Sequence, residues 1–167
     1  VDRDWSKPIG LRKAAELAYE RAGITDPREE LDVIELYDAF SVQELIWYEG
    51  LRLCDWGEGG RLMESGATEM TGDIPVNPSG GVLCANSIGA SAMMRVAEAA
   101  LQVMNRAGDR QINGARKSLA HGWGGGRDGK RDGLSREDIE MLEDTAEEIS
   151  DHERRSMQAE RDTVDRY

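Results

Sequence analysis

The chain has 167 residues, 33 acidic against 21 basic, for a formal charge of −12 and an isoelectric point near 4.6. That excess repels nucleic-acid backbones and anionic membrane surfaces at long range, and 39% apolar residues suit one modest core rather than a large two-domain enzyme. Only four basic residues are lysine, a halophilic-type composition with arginine-rich coding bias as the alternative.

Cys54 and Cys84 form no CxxC pair, and neither a secretory apolar region nor a membrane-spanning run is visible. The expectation is a soluble, cytoplasmic protein with free thiols and no metal or bound cofactor. Val1 in place of Met leads to the expectation of a mature piece or a fragment of something longer.

Residues 10–23 carry Leu11, Ala14, Ala15, Ala18 and Ala22 at helical spacing, with Gly23 where a left-handed cap would stand. After the turn-like "TDPREE", Val33, Ile34 and Leu36 lie nearly continuous in "LDVIELYDAF", as in a strand covered on both faces. Ser41 opens a second helix over 41–53, whose faces are Leu45, Tyr48 and Leu51, or Leu45, Glu49 and Arg52. The glycines of residues 55–72 predict an excursion over the surface or a lid without a long regular element.

"IPVNPSGG" reads as a short extended segment closing in a turn, and "NSIGAS" as the start of the strongest helix. That helix places Met93, Ala97, Ala100, Leu101 and Met104 on one face, with Gly108 at the expected stop. "ARKSLAHGWGGG" predicts a strand entering a glycine-rich loop, and the order of elements predicts an α/β layer arrangement. The composition then changes: residues 127–134 read as a polar linker and 135–167 as an acidic helical tail. Ser135 and Asp138 open that tail as a capping box, and Ile139, Leu142, Ala146 and Ile149 give it a narrow apolar stripe.

Three ordered motifs, "ELYDAFSVQELIWYEGL", "PVNPSGGVLCANSIGAS" and "GDRQINGARKSLAHGWGG", resemble the C-terminal half of a thiolase, nearest to the sterol-carrier-protein-x type and related lipid-transfer proteins. The resemblance spans about residues 10–126. It implies an incomplete thiolase-like domain over residues 1–126, with a mixed sheet flanked by helices. It further implies a coenzyme A thioester as substrate and an acyl-carrying cysteine in an N-terminal half. The implied partners are that half or a homologous subunit, with a zinc-ribbon/OB-type chain as a further candidate, in a homo- or hetero-oligomer.

The chain departs from this family where its chemistry resides. Tyr37, Asp38, Ala39 and Phe40 replace His-Asp-Cys-Phe, and Ala85, Asn86 and Ser87 stand, one position short, where relatives have Gly-His-Pro. Asn86 cannot take up a proton at neutral pH and so cannot replace the histidine that activates the cysteine. His121, Gly122, Trp123 and Gly124 occupy the glycine-rich loop. These losses argue against ordinary thiolate-driven Claisen chemistry.

The pattern at Tyr37 also resembles thiolase-like aldolases that shorten steroid side chains with tyrosines. Tyr37 and His121 are therefore the catalytic candidates. A phenol donates directly to an oxyanion, whereas acting as a base requires relay to a neighbour such as His121. Asn77, Gly80, Gly81, Asn86, Trp123 and Gly124 are the candidate substrate-binding residues: Asn77 holds the turn, the glycines keep the wall thin, and Trp123 covers an acyl or ring-shaped substrate. Each has a structural alternative: Tyr37 as a strand-end cap, His121 and Trp123 as packing residues, and NPSGG as plain loop-to-helix architecture.

Three readings follow. The first is the C-terminal part of an acyl-CoA enzyme of lipid metabolism, performing acyl transfer or C–C cleavage, with a tyrosine-dependent retro-aldolase as its variant. The second is a non-catalytic acyl-CoA- or lipid-binding subunit. The third is a truncated remnant whose sheet lacks its last strand and exposes an edge.

Overall fold

The computed structural model describes residues 6–123. Gly124, the 127–134 linker and the 135–167 tail, with its capping box and stripe, lie outside the described residues, as does any strand after the glycine-rich loop.

Helix α1 (Ile9–Ala22) ends on Gly23 in the left-handed conformation, and the Gly23 and Ile24 amides close back on Glu20 and Tyr19. Its buried face is Leu11, Ala15 and Tyr19, while Ala18 and Ala22 lie in solvent. The alanine stripe loses to Tyr19 because the larger side chain removes more apolar surface from water and its hydroxyl reaches the Leu51 carbonyl at 2.8 Å. A short helix, α2 (Pro27–Glu30), follows; Asp26 caps it and Pro27 occupies its first turn.

Strand β1 (Val33–Glu35) is buried along its length. Ile34 and Leu36 join the apolar core with α1 and the next helix, while Glu35 faces α6 on the opposite side. The expected double coverage is therefore present, with a carboxylate inside it. Parallel to β1 runs β2 (Ser118–Ala120), paired Val33 to Ser118, Ile34 to Leu119 and Glu35 to Ala120. On the other edge of β1, Val76 makes a parallel bridge to Ile34. All strand pairing among the described residues is parallel, so the expected mixed character is not found there.

Helix α3 (Ser41–Gly50) stops three residues earlier than the sequence pattern suggests. Arg52 then takes a positive φ of 63° and lies in solvent, which leaves Tyr48 and Leu51 as the packed face and removes the Glu49–Arg52 alternative. The glycine-rich excursion contains a short helix, α4 (Gly59–Glu64), that packs on α3. NPSGG leads into another one-turn helix, α5 (Gly81–Cys84), and residues 86–90 form a turn before α6 (Ser91–Val103).

Helix α6 lies on the two strands with its polar side inward. Ser91, Arg95, Ala99 and Gln102 are buried, whereas Met93 is 46% exposed and Ala97 is exposed. Each inward polar residue has at least one partner, although Arg95 Nε is left without one: Gln102 accepts from the Ile112 amide and donates to the Arg110 carbonyl, fixing the turn that delivers β2. The expected apolar face is real but faces away from this sheet. Gly108 does not end the helix; Met104 does, and Gly108 starts a 3₁₀ turn (Gly108–Arg110).

Candidate functional site

The C-terminal end of β1 brings three segments together. The 77–82 loop is tied to residues 34–38 at successive positions. The Asn77 amide donates to the Ile34 carbonyl and the Asn77 Oδ1 accepts the Leu36 amide, both at 2.7 Å. Ser79 meets Glu35, its amide donating to Oε1 at 3.1 Å and its hydroxyl to Oε2 at 2.6 Å. The Val82 amide donates to Asp38 Oδ1. Asn77 itself adopts φ 50°, a left-handed conformation that asparagine tolerates better than most residues.

Tyr37 is held from the other side. Its carbonyl accepts the Trp47 indole N–H at 2.8 Å and its amide donates to His121 Nδ1 at 3.4 Å. The His121 amide in turn donates to the Glu35 carbonyl at 2.8 Å, continuing the β1–β2 ladder. Trp47 stacks edge-on against the His121 ring at 5.3 Å, and Trp123 against the Tyr37 ring at 6.1 Å. Burial lowers the His121 pKa to about 4, so the imidazole is neutral at physiological pH. With Nδ1 accepting from Tyr37, the ring proton resides on Nε2, which makes His121 a hydrogen-bond donor there.

Tyr37, His121 and Trp123 thus form one cluster beside the Asn77–Gly81 loop. Gly81 has φ 64°, and a Cβ there would collide with the Asp38 carboxylate, so this glycine is required by packing. Asn86 stands apart in role. Its Oδ1 accepts the Ile88 amide at 3.0 Å and the Ser91 hydroxyl at 2.9 Å, an engagement at the entry of α6, and its side chain is exposed.

The sequence reading missed Glu35, Ser79, Arg95 and Trp47. Arg95 Nη1 contacts Glu35 Oε2 at 3.0 Å and Ser79 Oγ at 2.8 Å, with Glu35 0% and Arg95 2% exposed. Burial raises the Glu35 pKa, while the Ser79 donors and the Arg95 charge favour the carboxylate. The available signal was a glutamate inside the otherwise apolar "VIEL" run.

Cys54 lacks the setting of an activated nucleophile. Cys54 is half-buried beside Glu49, Asp55 and Glu58, and burial followed by these charges pushes its pKa up to about 11. Cys84 is exposed on α5. Among the described residues no helix is long and apolar enough to cross a membrane.

The chain is 40% identical over 114 residues to human sterol carrier protein 2, an alignment covering 68% of this chain and 20% of that protein. It is 37% identical over 124 residues to an acetyl-CoA acetyltransferase of Methanothermobacter thermautotrophicus, covering 74% of this chain and 32% of the relative. A benzoylsuccinyl-CoA thiolase subunit of Thauera aromatica is 35% identical over 116 residues, covering 68% and 30%. Among solved structures, the Ltp2-ChsH2(DUF35) aldolase superposes with a TM-score of 0.56 at 26% identity, covering 63% of this chain and 26% of that one. The alignments therefore span between a fifth and a third of these curated relatives. Residues 2–129 match the model for thiolase C-terminal domain-like proteins, and the chain belongs to that family.

Proposed function

We propose that the chain is the C-terminal part of an acyl-CoA enzyme that breaks or forms a C–C bond by tyrosine-dependent, aldolase-type chemistry. The observation that carries this reading is Tyr37 held at the end of β1 beside a neutral His121, with Asn86 occupied at a helix entry where a thiolase would need a base. Likeness to an aldolase structure supports the same direction.

In this reading the substrate is a 3-hydroxyacyl thioester of coenzyme A. A base elsewhere in the assembly takes the hydroxyl proton, the Cα–Cβ bond breaks as the carbonyl forms, and its electron pair passes into the thioester enolate. Tyr37 O–H and His121 Nε2–H donate to the enolate oxygen, which is worth most where water is excluded. Protonation at Cα completes the cleavage. Asn77, Gly80 and Gly81 provide the thin wall, and Trp123 covers the acyl or ring portion.

The missing half comes from a thiolase N-terminal segment or subunit. The outward apolar side of α6, with Phe40, Val42, Leu83 and Ile88 exposed nearby in sequence to the site, supplies surface for it. A DUF35-type chain is the further partner. Acyl-transfer activity of the ordinary thiolase kind is disfavoured by Tyr37 and Ala39 standing for the family's histidine and cysteine and by Asn86 standing near its second histidine.

The test is cleavage of 3-hydroxyacyl-CoA by the full chain with the partner that co-purifies from native extract. Tyr37→Phe is expected to abolish cleavage and leave acyl-CoA binding intact. Binding without turnover in both the wild-type complex and Tyr37→Phe would instead establish the non-catalytic binding subunit.

A further inference from the structure

We infer that Glu35, Ser79 and Arg95 form a positioning unit that sets Tyr37 and His121 against the 77–82 loop. The inference rests on the reading that Tyr37 and His121 face substrate, and its geometry is independent of the reaction assigned.

Glu35 is the hub. Its main-chain carbonyl receives the His121 amide, while its side chain receives both donors of Ser79 and one nitrogen of Arg95. One residue therefore links β2, the loop and α6 two positions before Tyr37. Arg95 Nη1 bridges Glu35 and Ser79, so the arginine closes a three-membered network rather than a simple pair. Ser79 Oγ further accepts the Gly81 amide at 3.2 Å, carrying the linkage to the glycine that lies against Asp38.

A purely structural role would be met more simply by apolar side chains, since desolvating two charges offsets much of their attraction. A network of directional bonds instead fixes one relative placement of the segments it joins. Glu35, Leu36 and Asp38 grip the loop, whereas the backbone of Tyr37 is held by His121 and Trp47. Displacing the loop therefore moves the frame on both sides of Tyr37.

The experiment uses the full chain as wild type, Ser79→Ala, Ser79→Thr and Arg95→Met. Amide hydrogen exchange at Tyr37 and Val82 and the ¹⁵N shifts of the His121 imidazole are followed beside the thermal midpoint. Ser79→Ala is expected to accelerate exchange at Tyr37 and Val82 by about tenfold or more and to shift His121 Nδ1, while α1 amides stay unchanged. Ser79→Thr, which keeps the hydroxyl, restores both signals.

Unchanged Tyr37 and His121 signals in Ser79→Ala overturn the proposal, as does a uniform acceleration that includes α1. Arg95→Met is the severe variant; should it fail to fold, the serine pair decides. In the active complex, Ser79→Ala is expected to lower kcat while KM stays within about twofold, and a loss confined to KM counts against positioning. The exchange and NMR readouts need no turnover, so an inactive wild-type complex would refute the proposed reaction and leave this inference standing.

Discussion

Asp38 and Val82 are joined by a hydrogen bond from amide to carboxylate across 44 residues of sequence, and the backbone of Gly81 lies flat against that carboxylate. This contact closes the loop onto the strand end that carries Tyr37. Gly81→Ala places a methyl group on a buried acid at positive φ. It is expected to destabilise the domain by at least about 2 kcal/mol, whereas Gly23→Ala, with φ 67° but open space around it, costs about 1 kcal/mol. Urea unfolding of the two variants checks the difference.

Trp47→Phe keeps the aromatic packing on His121 and removes the indole N–H bond to the Tyr37 carbonyl. The expected loss is about 1 kcal/mol, measured by denaturant midpoint. Amide exchange should rise at residues following Tyr37 more than in α1.

His121 links stability to pH. Its folded pKa of about 4 lies below the ordinary 6.5, so the unfolded chain binds the proton more readily. The neutral ring's contribution is complete above the ordinary value and is lost as pH falls from about 6.5 to about 4. Unfolding free energies measured across that window should decline more steeply with acidification in wild type than in His121→Gln. Equal slopes would mean that the imidazole titrates freely.

Arg95→Met leaves the fully buried Glu35 carboxylate without its cation, a change expected to cost about 3–5 kcal/mol. The double variant Glu35→Gln with Arg95→Met removes the charge imbalance and should recover part of that loss. A double-mutant cycle in urea measures the coupling, and simple additivity would show that the ion pair is not what the substitutions disrupt.

The two thiols should separate chemically. Cys84 is exposed, while half-buried Cys54 is held protonated by burial and three nearby carboxylates. Iodoacetamide at neutral pH is expected to label Cys84 first by mass spectrometry, and prior labelling of Cys54 would contradict its environment.

Much of the framework was legible along the chain. The cap at Gly23 and the apolar run of β1 follow from local pattern, since each depends on neighbours in sequence. The faces of α1 and α6 were harder to read. A stripe of alanines lost to Tyr19 because burial rewards size as well as spacing, and α6 turned its apolar side outward because its polar side found partners on the strands.

The amino-acid sequence by itself determined the net charge of −12 and the family motifs, which are matters of composition and order. Only the tertiary structure decided that Asn86 braces a helix entry, that the Tyr37 amide meets His121 Nδ1, and that Glu35, Ser79 and Arg95 meet. The bonds of Glu35 to Ser79 and Arg95, and of Tyr37 to His121, join residues 44 to 84 positions apart, whereas those of Asn86 reach only two and five positions along the chain; in each, burial and hydrogen-bond geometry, rather than residue identity, set the chemistry.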